Sequence, residues 1–457
     1  MFIDNDKHIG IWGFGKVGKS VAHYLHVQGY KLSILDKRQP TPQEQVELHK
    51  KNINWYTEKD PEIFFNSCDH IIPSPGINIT PMRYATHNHK WLPELDLFYH
   101  EFRKPIIAVT GSIGKTSVVS ILEELFKELS IPIALGGNIG TPTFNLIAQQ
   151  DTVEYALLEV SSFQLMRCTQ FAPYISLWTN FYPNHLDYHA TEEEYFSAKE
   201  KILAYQKDNA FSLLPWNLRS KIPNAQPEQT RNYFSVDLPN KEELGTLENN
   251  EAVYYINQNT IMRFTQEKDT CLMQLSPSLI NLSFIDNILL IAAVCDLMNI
   301  NNEALNSIAE KIELPAHRIE YCGTADNIEF YNDSKATTTA STLAAVQKLH
   351  KRPLHLFLGG LSKGVDRAPF IAQLKNKVQH VYCFGQEAPQ LQEICTINNI
   401  AATHHVELEG AFAFCMSTIQ SGDCVLLSPA GSSYDLYENY EHRGNHFKEL
   451  ITSYIKK

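Results

Sequence analysis

The sequence has no long hydrophobic run. Its densest apolar stretch, residues 288–295, is far shorter than the ~18 consecutive apolar residues of a membrane span. The first residues, MFIDNDKHIG, lack the basic start and the apolar segment of a secretory signal. We therefore expect a cytoplasmic protein without membrane insertion.

Cysteine patterns and an excess of positive charge are also missing. The nine cysteines are an odd number without CxxC or zinc-type spacing, which is typical of free thiols in a reducing compartment. Acidic residues outnumber basic ones by 51 to 39, so the net charge is −12 and nucleic acid is not an expected partner. The 21 glycines and 22 prolines are near average usage, which excludes fibrous and low-complexity classes.

What the chain does have is the size and composition of several globular domains. Its 457 residues are 44% hydrophobic and 20% charged, and at ~150 residues per domain they predict about three domains. Strand and helix patterns alternate, which predicts an α/β fold. The predicted domains cover residues 1–97, 98–315 and 316–457, and short alternating segments at 209–280 predict a small antiparallel sub-sheet within the second.

The second domain opens with a strand at 106–110, the segment TGSIGKT at 110–116 and a helical pattern. This order is the context of a P-loop, whose backbone N–H groups and helix N-terminus bind phosphates. Lys115 is expected to reach the β- and γ-phosphates, and the Thr116 hydroxyl to hold Mg²⁺. The strict motif has glycine where this chain has Val109, so a simple strand–helix turn is the alternative. We predict a P-loop NTPase-like central domain.

The first domain carries Gly13-x-Gly15-x-x-Gly18 after a strand, with Asp36 at the end of the next strand. This pattern predicts a Rossmann-like domain and, taken alone, a dinucleotide site. The same geometry suits another nucleotide diphosphate, or a tight turn without a ligand.

Three further groups of polar residues follow predicted strands. Glu159 and His185 both follow strands of the P-loop block, where a Mg²⁺-nucleotide would sit, so they are candidate ligands for a hard cation. The polar segment 332–337, NDSKAT, follows a strand at 328–331. Three strand-then-glycine units in this last block predict a doubly wound C-terminal domain. Each group alone is also compatible with solvated loop residues.

Taken together, these segments resemble the Mur ligases of bacterial cell-wall synthesis, in order and over nearly the whole chain. NDSKAT and the final block LLSPAGSSYDLYENYEHRGNHF are similar to the D-glutamate-adding branch of that family. The other matching segments are GFGKVG, SPGI, TGSIGKTS, GGNIGTP, LEVSSFQL, NHLDYH, SAKEKI, AHRIE and LGGLSK.

The resemblance implies a nucleotide site in each of the first two domains. The N-terminal domain would bind the UDP of a sugar-nucleotide substrate, not NAD, through Gly15, Lys16, Asp36, Arg38, Ser74 and Gly76, with Asn138 of the GGNIG segment. The central domain would bind ATP through Thr110, Gly111, Ser112, Gly114, Lys115, Thr116 and Asn287, joined by Arg318 and Asp333.

The resemblance also implies two Mg²⁺ sites. Thr116 and Glu159 resemble ligands of the first, and His185 and Lys199 resemble the second, where the family's lysine is carbamylated. An ammonium group cannot bind Mg²⁺, whereas a carbamate offers an anionic pair of oxygens.

The implied reaction joins D-glutamate to UDP-N-acetylmuramoyl-L-alanine through an acyl phosphate and gives ADP and phosphate. This step belongs to peptidoglycan synthesis, and so to cell-wall biogenesis, cell shape and cell division, in the bacterial cytoplasm. Lys115, His185, Lys199 and Lys335 would be catalytic. The D-glutamate carboxylates would bind Thr337, Lys363, Ser433 and Tyr440. Small substrates are the only expected partners, and the expected state is a monomer.

Several positions depart from the family pattern. Ile113 stands where asparagine is usual, and Ser283 and Phe284 replace a His-Asn pair near the adenine site, of which Asn287 remains. Thr338 and Tyr440 replace Asn and Phe. The alternatives are another Mur-type or folylpolyglutamate-type amide ligase, a nicotinamide dehydrogenase suggested by GFGKVG and Asp36, and a non-catalytic nucleotide-binding homologue.

Overall fold

The apolar segments of the chain pair into three β-sheets. The computed structural model describes residues 3–4, 6–59, 61–79, 82–186, 188–222, 230–280, 285–301, 303–309, 316–350 and 352–455. Contacts divide it into two compact units, Met1–Phe181 with Glu193–Ile312 and Tyr182–Glu192 with Glu313–Lys457. The first unit holds two of the sheets and the second unit holds the third.

The N-terminal sheet is fully parallel, in the order β3-β2-β1-β4. The inner strand β1 is buried along its whole length, as expected for a parallel strand covered on both faces. The strands are β1 His8–Trp12, β2 Lys31–Asp36, β3 Asn54–Thr57 and β4 His70–Pro73. The helices are α1 Lys16–Val27, α2 Pro42–Lys50, α3 Pro61–Ser67 and α4 Glu94–Glu101.

The central sheet has nine strands, in the order β13-β12-β11-β10-β9-β8-β5-β7-β6. Its strands are β5 Ile106–Thr110, β6 Ile133–Gly137, β7 Tyr155–Glu159, β8 Ile175–Trp178, β9 Phe211–Pro215, β10 Thr230–Phe234, β11 Ala252–Asn257, β12 Thr260–Phe264 and β13 Asp269–Gln274. The helices are α5 Lys115–Glu128, α6 Thr143–Leu146, α7 Ser162–Leu165, α8 Glu192–Ala204, α9 Lys241–Leu244, α10 Pro277–Ile280, α11 Ile285–Leu297 and α12 Glu303–Ile308. The apolar stretch 288–295 lies in α11 and is buried on all sides, as a core helix of this composition should be.

The predicted antiparallel sub-sheet is confirmed for β11, β12 and β13, but its extent needs a correction. Among the described strands of 209–280, the antiparallel pairs join β11, β12 and β13, whereas β9 and β10 pair in parallel and extend the sheet that begins at β5. The prediction for 209–280 was therefore too wide. Short alternating segments show that one face is buried, but they do not reveal the direction of the neighbouring strand.

The C-terminal sheet has the order β14-β15-β19-β16-β17-β18, parallel except for the edge strand β14. A two-residue turn with positive φ at Asp326 and Asn327 joins β14 to β15, as a tight hairpin requires. The strands are β14 Glu320–Ala325, β15 Ile328–Asn332, β16 Leu354–Gly359, β17 His380–Phe384, β18 Ala402–His405 and β19 Cys424–Leu427. The helices are α13 Thr339–Leu349, α14 Ala368–Ala372, α15 Ala388–Ile397, α16 Leu408–Thr418 and α17 Tyr440–Ile455.

The predicted α/β class with a Rossmann-like, a P-loop-type and a doubly wound sheet is confirmed. The boundaries at 97/98 and 315/316 stay predictions, and Pro315 lies outside the described residues. All nine cysteines are free thiols, as their spacing predicted. In the described part of the chain, no helix combines the length and the apolar character of a membrane span.

Candidate active site

The loop after β5 is positioned as a phosphate-binding turn. Gly111 and Gly114 have φ values of +142° and +86°, and a Cβ atom at Gly111 would lie 2.0 Å from the Thr179 hydroxyl oxygen. Gly114 caps the 14-residue helix α5, which begins with Lys115 and Thr116. The positive end of the α5 helix dipole and the Lys115 ammonium therefore both lie at the phosphate loop, as binding of a triphosphate requires.

A hydroxyl and a carboxylate meet beside this loop. The Thr116 hydroxyl donates to Glu159 Oε2 at 2.8 Å, and the Asn138 amide donates to Glu159 Oε1 at 2.9 Å. Glu159 is buried at the end of β7, which pairs directly with β5. The contact follows from topology, because the carboxyl ends of neighbouring parallel strands share one edge of the sheet.

Two lysines converge on one carbonyl oxygen of the loop. Lys115 Nζ lies 2.8 Å and Lys199 Nζ 2.9 Å from the Gly111 oxygen. Burial, followed by the charge of Lys115, lowers the pKa of Lys199 well below its ordinary value, whereas Glu159 raises it. The nearby Lys201 is different, because it is only partly buried and donates to the Tyr205 hydroxyl.

Asn180, which the sequence analysis missed, holds the phosphate loop. Its side chain accepts from the Ile113 N–H at 2.9 Å and donates to the Ile113 carbonyl at 3.0 Å, and its own carbonyl accepts from the Ser112 N–H at 3.1 Å. Ile113 thus contributes backbone groups to these contacts, which any residue except proline would supply at this position. A polar residue just beyond β8, the other neighbour of β5, was the available signal.

Asn287 is the described remnant of the predicted adenine site. It is buried in α11, and a Cβ atom at Gly114 would lie 2.9 Å from its Oδ1. Its Nδ2 is buried without a hydrogen-bond partner among the residues that the structure describes. Such an orphan donor beside a phosphate loop fits a nucleotide site. Ser283 and Phe284 lie outside the described residues.

The predicted UDP residues line a single cleft of about 580 Å³ in the first unit. All seven of them are among its lining residues, Gly15, Lys16, Asp36, Arg38, Ser74, Gly76 and Asn138. Lys37 and Gln164 also line it and were missed by the sequence analysis.

Loop contacts shape this cleft. Asp36 accepts from the Phe14 N–H at 2.6 Å, and Ser74 donates to the Gly13 carbonyl at 3.0 Å. The Arg38 guanidinium forms a two-pronged pair with Glu44 at 2.7 and 2.8 Å. The cleft is therefore formed by the loops that follow β1, β2 and β4, together with the segment after β6.

Asp333 is buried between two loops of the C-terminal sheet. It accepts from the Ser428 hydroxyl at 2.7 Å and from the Ile319 N–H at 3.2 Å. Burial raises the pKa of Asp333 to about 7, while these hydrogen bonds and the charge of Arg318 lower it. Asp333 and Arg318, both predicted nucleotide ligands, thus lie within reach of each other's charge.

Three loops carry the predicted D-glutamate residues Thr337, Lys363 and Ser433, while Tyr440 begins helix α17. Leu361 and Ser432 form a two-way backbone bridge at 2.9 and 3.0 Å, which joins the loop of Lys363 to the loop of Ser433. The third loop contributes Lys335, whose Nζ lies 5.3 Å from the centre of the Tyr440 ring, and Thr337, whose N–H donates to the Lys335 carbonyl.

Arg443 links these loops and was also missed by the sequence analysis. It is fully buried in α17, donates to the Ser334 hydroxyl at 3.0 Å and carbonyl at 2.7 Å, and donates to the Gly431 carbonyl at 3.1 Å. A buried guanidinium can join several carbonyls at once because it has five donors in a rigid fork.

His185 belongs to the segment Tyr182–Glu192 of the second unit, while Lys199 belongs to the first. His185 has a φ of +58°, and its carbonyl accepts from the N–H groups of Tyr188 and His189 at 3.0 and 2.9 Å. The local turn thus fixes its backbone, and its pairing with Lys199 at a metal stays a prediction.

The donor set of the first predicted metal site fits Mg²⁺. The Thr116 hydroxyl and the Glu159 carboxylate are hard oxygen donors beside the phosphate loop, the kind that Mg²⁺ takes along with nucleotide phosphates. Across the described residues, no group of three or more His, Cys, Asp or Glu side chains could hold a metal. A cation here would therefore depend on oxygens from the nucleotide as well.

Family models match the chain in three consecutive blocks. They are a Mur ligase MurD-like N-terminal domain over 7–90, a Mur ligase middle domain over 109–295 and a Mur ligase glutamate ligase domain over 317–431. The UDP-N-acetylmuramoylalanine–D-glutamate ligase of Bacillus pumilus is 31% identical over 459 residues, covering 98% of this chain and 97% of its own. The ligase of the same name from Koribacter versatilis is 30% identical over 453 residues, covering 97% of both chains.

Solved structures show the same fold at low identity. A pseudomurein peptide ligase type C from Methanothermus fervidus has a TM-score of 0.58 at 14% identity, covering 98% of this chain and 100% of its own. The ligase MurF from Thermotoga maritima, in complex with ADP, has a TM-score of 0.57 at 14% identity, covering 98% and 96%.

A phosphate loop with its lysine and its threonine–carboxylate pair, in an α/β protein with three sheets, defines a nucleotide-binding protein of the P-loop type. Full-length relatives at 30–31% identity define it further. The chain belongs to the Mur ligase family.

Proposed function

We propose that this protein is an ATP-dependent ligase that joins D-glutamate to UDP-N-acetylmuramoyl-L-alanine in peptidoglycan precursor synthesis. The observation that carries the proposal is the full-length similarity to ligases of that name, together with the residues gathered at the phosphate loop. The implied setting is the bacterial cytoplasm, and the implied state is a monomer.

The first step would activate the substrate carboxylate. A carboxylate oxygen of the L-alanine attacks the γ-phosphorus of ATP, the bond from that phosphorus to the ADP oxygen breaks, and an acyl phosphate forms. Negative charge accumulates on the phosphoryl oxygens, and Lys115 at the start of α5 would neutralise that charge. Mg²⁺ held by Thr116 and Glu159 would supply further charge neutralisation.

Lys199 has the environment that carbamylation needs. Carbamylation joins a neutral amine nitrogen to the carbon of CO₂ and releases a proton, so it requires the uncharged lysine. Burial and the neighbouring Lys115 both favour that neutral form by lowering the pKa of Lys199. The resulting carbamate would carry negative charge beside the Lys115 ammonium and, with His185, would offer oxygen and nitrogen ligands to a second Mg²⁺.

The second step would form the amide. The D-glutamate nitrogen attacks the acyl carbon, the bond to phosphate breaks, and the amine loses a proton. Lys363, Thr337, Ser433 and Tyr440 would hold the two acceptor carboxylates, since a cation with hydroxyl donors suits a dicarboxylate. Lys335 would stabilise the departing phosphate. The UDP part would lie in the cleft lined by Lys16, Arg38 and Asn138.

Phosphate release is the direct test. The proposal requires release that depends on ATP, UDP-N-acetylmuramoyl-L-alanine and D-glutamate together, with a product heavier than the nucleotide substrate by one glutamyl residue. L-Glutamate and UDP-N-acetylmuramate are the matched negative substrates. Release with any one component omitted, or with no glutamyl product, would refute the proposal.

A folylpolyglutamate-type ligase is the second candidate. An Escherichia coli FolC structure shares the fold, with a TM-score of 0.53 at 12% identity. NDSKAT and the LLSPAGSS segment favour the D-glutamate branch, and turnover with a folate but not with the UDP-sugar would reverse this choice. NAD(H) binding in the N-terminal cleft would support the dehydrogenase alternative.

A further inference from the structure

The segment from Gly359 to Gly364, which carries Lys363, has an unusual backbone. Gly360, Lys363 and Gly364 have φ values of +69°, +54° and +76°. A lysine rarely adopts this left-handed conformation, so the surrounding structure must hold it. The Leu361–Ser432 bridge anchors the middle of the segment, but it leaves both ends to other contacts.

A buried arginine holds the first end. Arg367 is only 4% exposed, and its guanidinium donates to the Gly360 carbonyl at 2.7 Å and to the Gly359 carbonyl at 3.4 Å. A Cβ atom at Gly431 would lie 2.4 Å from Arg367 Nη2, so the same guanidinium also packs against the loop that carries Ser433.

Glu387 completes the arrangement on the other side. Its Oε1 accepts from the Ser362 N–H at 3.0 Å, next to Lys363, and its Oε2 lies 3.4 Å from Arg367 Nη2. The residue before it, Gln386, donates its N–H to Asp435 at 3.2 Å. Arg367 therefore binds the segment at two carbonyls, and Glu387 binds it at one N–H group. Together they connect the segment to two neighbouring loops.

We propose that Arg367 and Glu387 are positioning residues that set the D-glutamate affinity by holding Lys363 in its left-handed conformation. This inference rests on the proposed role of Lys363 in D-glutamate binding. Arg367 is buried, and its two terminal nitrogens donate to main-chain carbonyls and pair with Glu387, while its Nε is buried without a hydrogen-bond partner among the described residues. Because the guanidinium is buried, it acts through Lys363 and not by touching the substrate. Its planar fork matters, because a lysine has no second prong for the two carbonyls.

The kinetic test uses Arg367→Met, Arg367→Lys and Glu387→Gln in the full chain. We expect kcat/KM for D-glutamate to fall about 100-fold in Arg367→Met, as for a displacement of about 1 Å at a site. The loss should lie mainly in KM, and Arg367→Lys should recover part of it. KM values for ATP and UDP-N-acetylmuramoyl-L-alanine should stay within about twofold. Arg352→Met, which breaks a partly exposed pair with Glu329, is the matched control.

Hydrogen exchange gives a readout that does not need activity. Exchange at the amides of 361–364 should be at least about tenfold faster in Arg367→Met than in Arg352→Met, as expected when a local contact is lost. Inactive wild-type protein would refute the proposed function, while exchange would still decide the inference. Unchanged exchange at these amides in Arg367→Met would overturn the inference. If the wild type is active, an unchanged KM for D-glutamate in Arg367→Met, or an equal rise in the KM values of all three substrates, would also overturn it.

Discussion

The phosphate loop and the loops around Lys363 both position charged side chains, but by different means. At the phosphate loop, Lys115 and Thr116 begin a helix and Glu159 ends a strand, so regular elements place them. At the C-terminal sheet, Lys363 and Ser433 lie on loops held by buried side chains such as Arg443. Substitutions in the first region should therefore lower activity mainly by removing a catalytic group. Substitutions in the second region should lower it mainly by displacing a binding group.

The largest expected effect tests the first half of that comparison. Lys115→Ala should lower kcat about 1,000-fold, as expected when a donor to a developing charge is removed. The melting temperature should change little, because Lys115 is only partly buried and donates to the loop carbonyls of Gly111 and Ser112. Lys127→Ala, at the exposed end of the same helix, is the control for phosphate release. Near-normal turnover of Lys115→Ala would refute the phosphate-loop assignment.

The second region is probed through its buried carboxyl. The native pKa of Asp333 is about 7, above the ordinary value of 3.8 for an aspartate, so the native chain binds more protons than the unfolded chain between these pH values. The protonated Asp333 therefore contributes to the free energy of unfolding, fully below pH 3.8. This contribution, about 4 kcal/mol at most, is lost as the pH rises through 7. Asparagine cannot titrate, so the melting temperature of Asp333→Asn relative to wild type should rise from pH 4 to pH 8. A constant difference would contradict the raised pKa.

A buried lysine should cost stability while serving activity. Without Mg²⁺ and bicarbonate, Lys199→Met should raise the apparent melting temperature at pH 7 by about 2–4 °C, because a buried amine is replaced by an apolar side chain. The native pKa of Lys199 lies below its ordinary 10.5. Between the lowered native pKa and pH 10.5, the unfolded chain binds more protons than the native chain, so the stability of the wild type rises with pH. The difference in melting temperature between Lys199→Met and wild type should therefore shrink toward pH 10.5. Lys201→Met should show neither effect.

Sequence alone could predict the groups that a short motif places. The segment 110–116 fixes the order of strand, turn and helix, and the adjacency of β5 and β7 then brings Glu159 to Thr116. Contacts between distant segments could not be predicted, since nothing local links Arg367 to Glu387 or Arg443 to Ser334. The same limit explains the strands β9 and β10, whose pattern shows a buried face but not a parallel partner.

Asn180→Ala is the smallest expected effect, and it sharpens the comparison because it asks whether a motif also needs a distant partner. Alanine removes the two side-chain hydrogen bonds to Ile113 and keeps the backbone bond to Ser112. At about 1 kcal/mol for each of the two bonds, kcat/KM for ATP should fall about 30-fold, while KM for D-glutamate stays unchanged. Asn257→Ala, at the exposed end of β11, is the control. Normal ATP kinetics in Asn180→Ala would mean that helix α5 and its glycines hold the loop without help, and the contrast between the two regions would then be sharper than we describe.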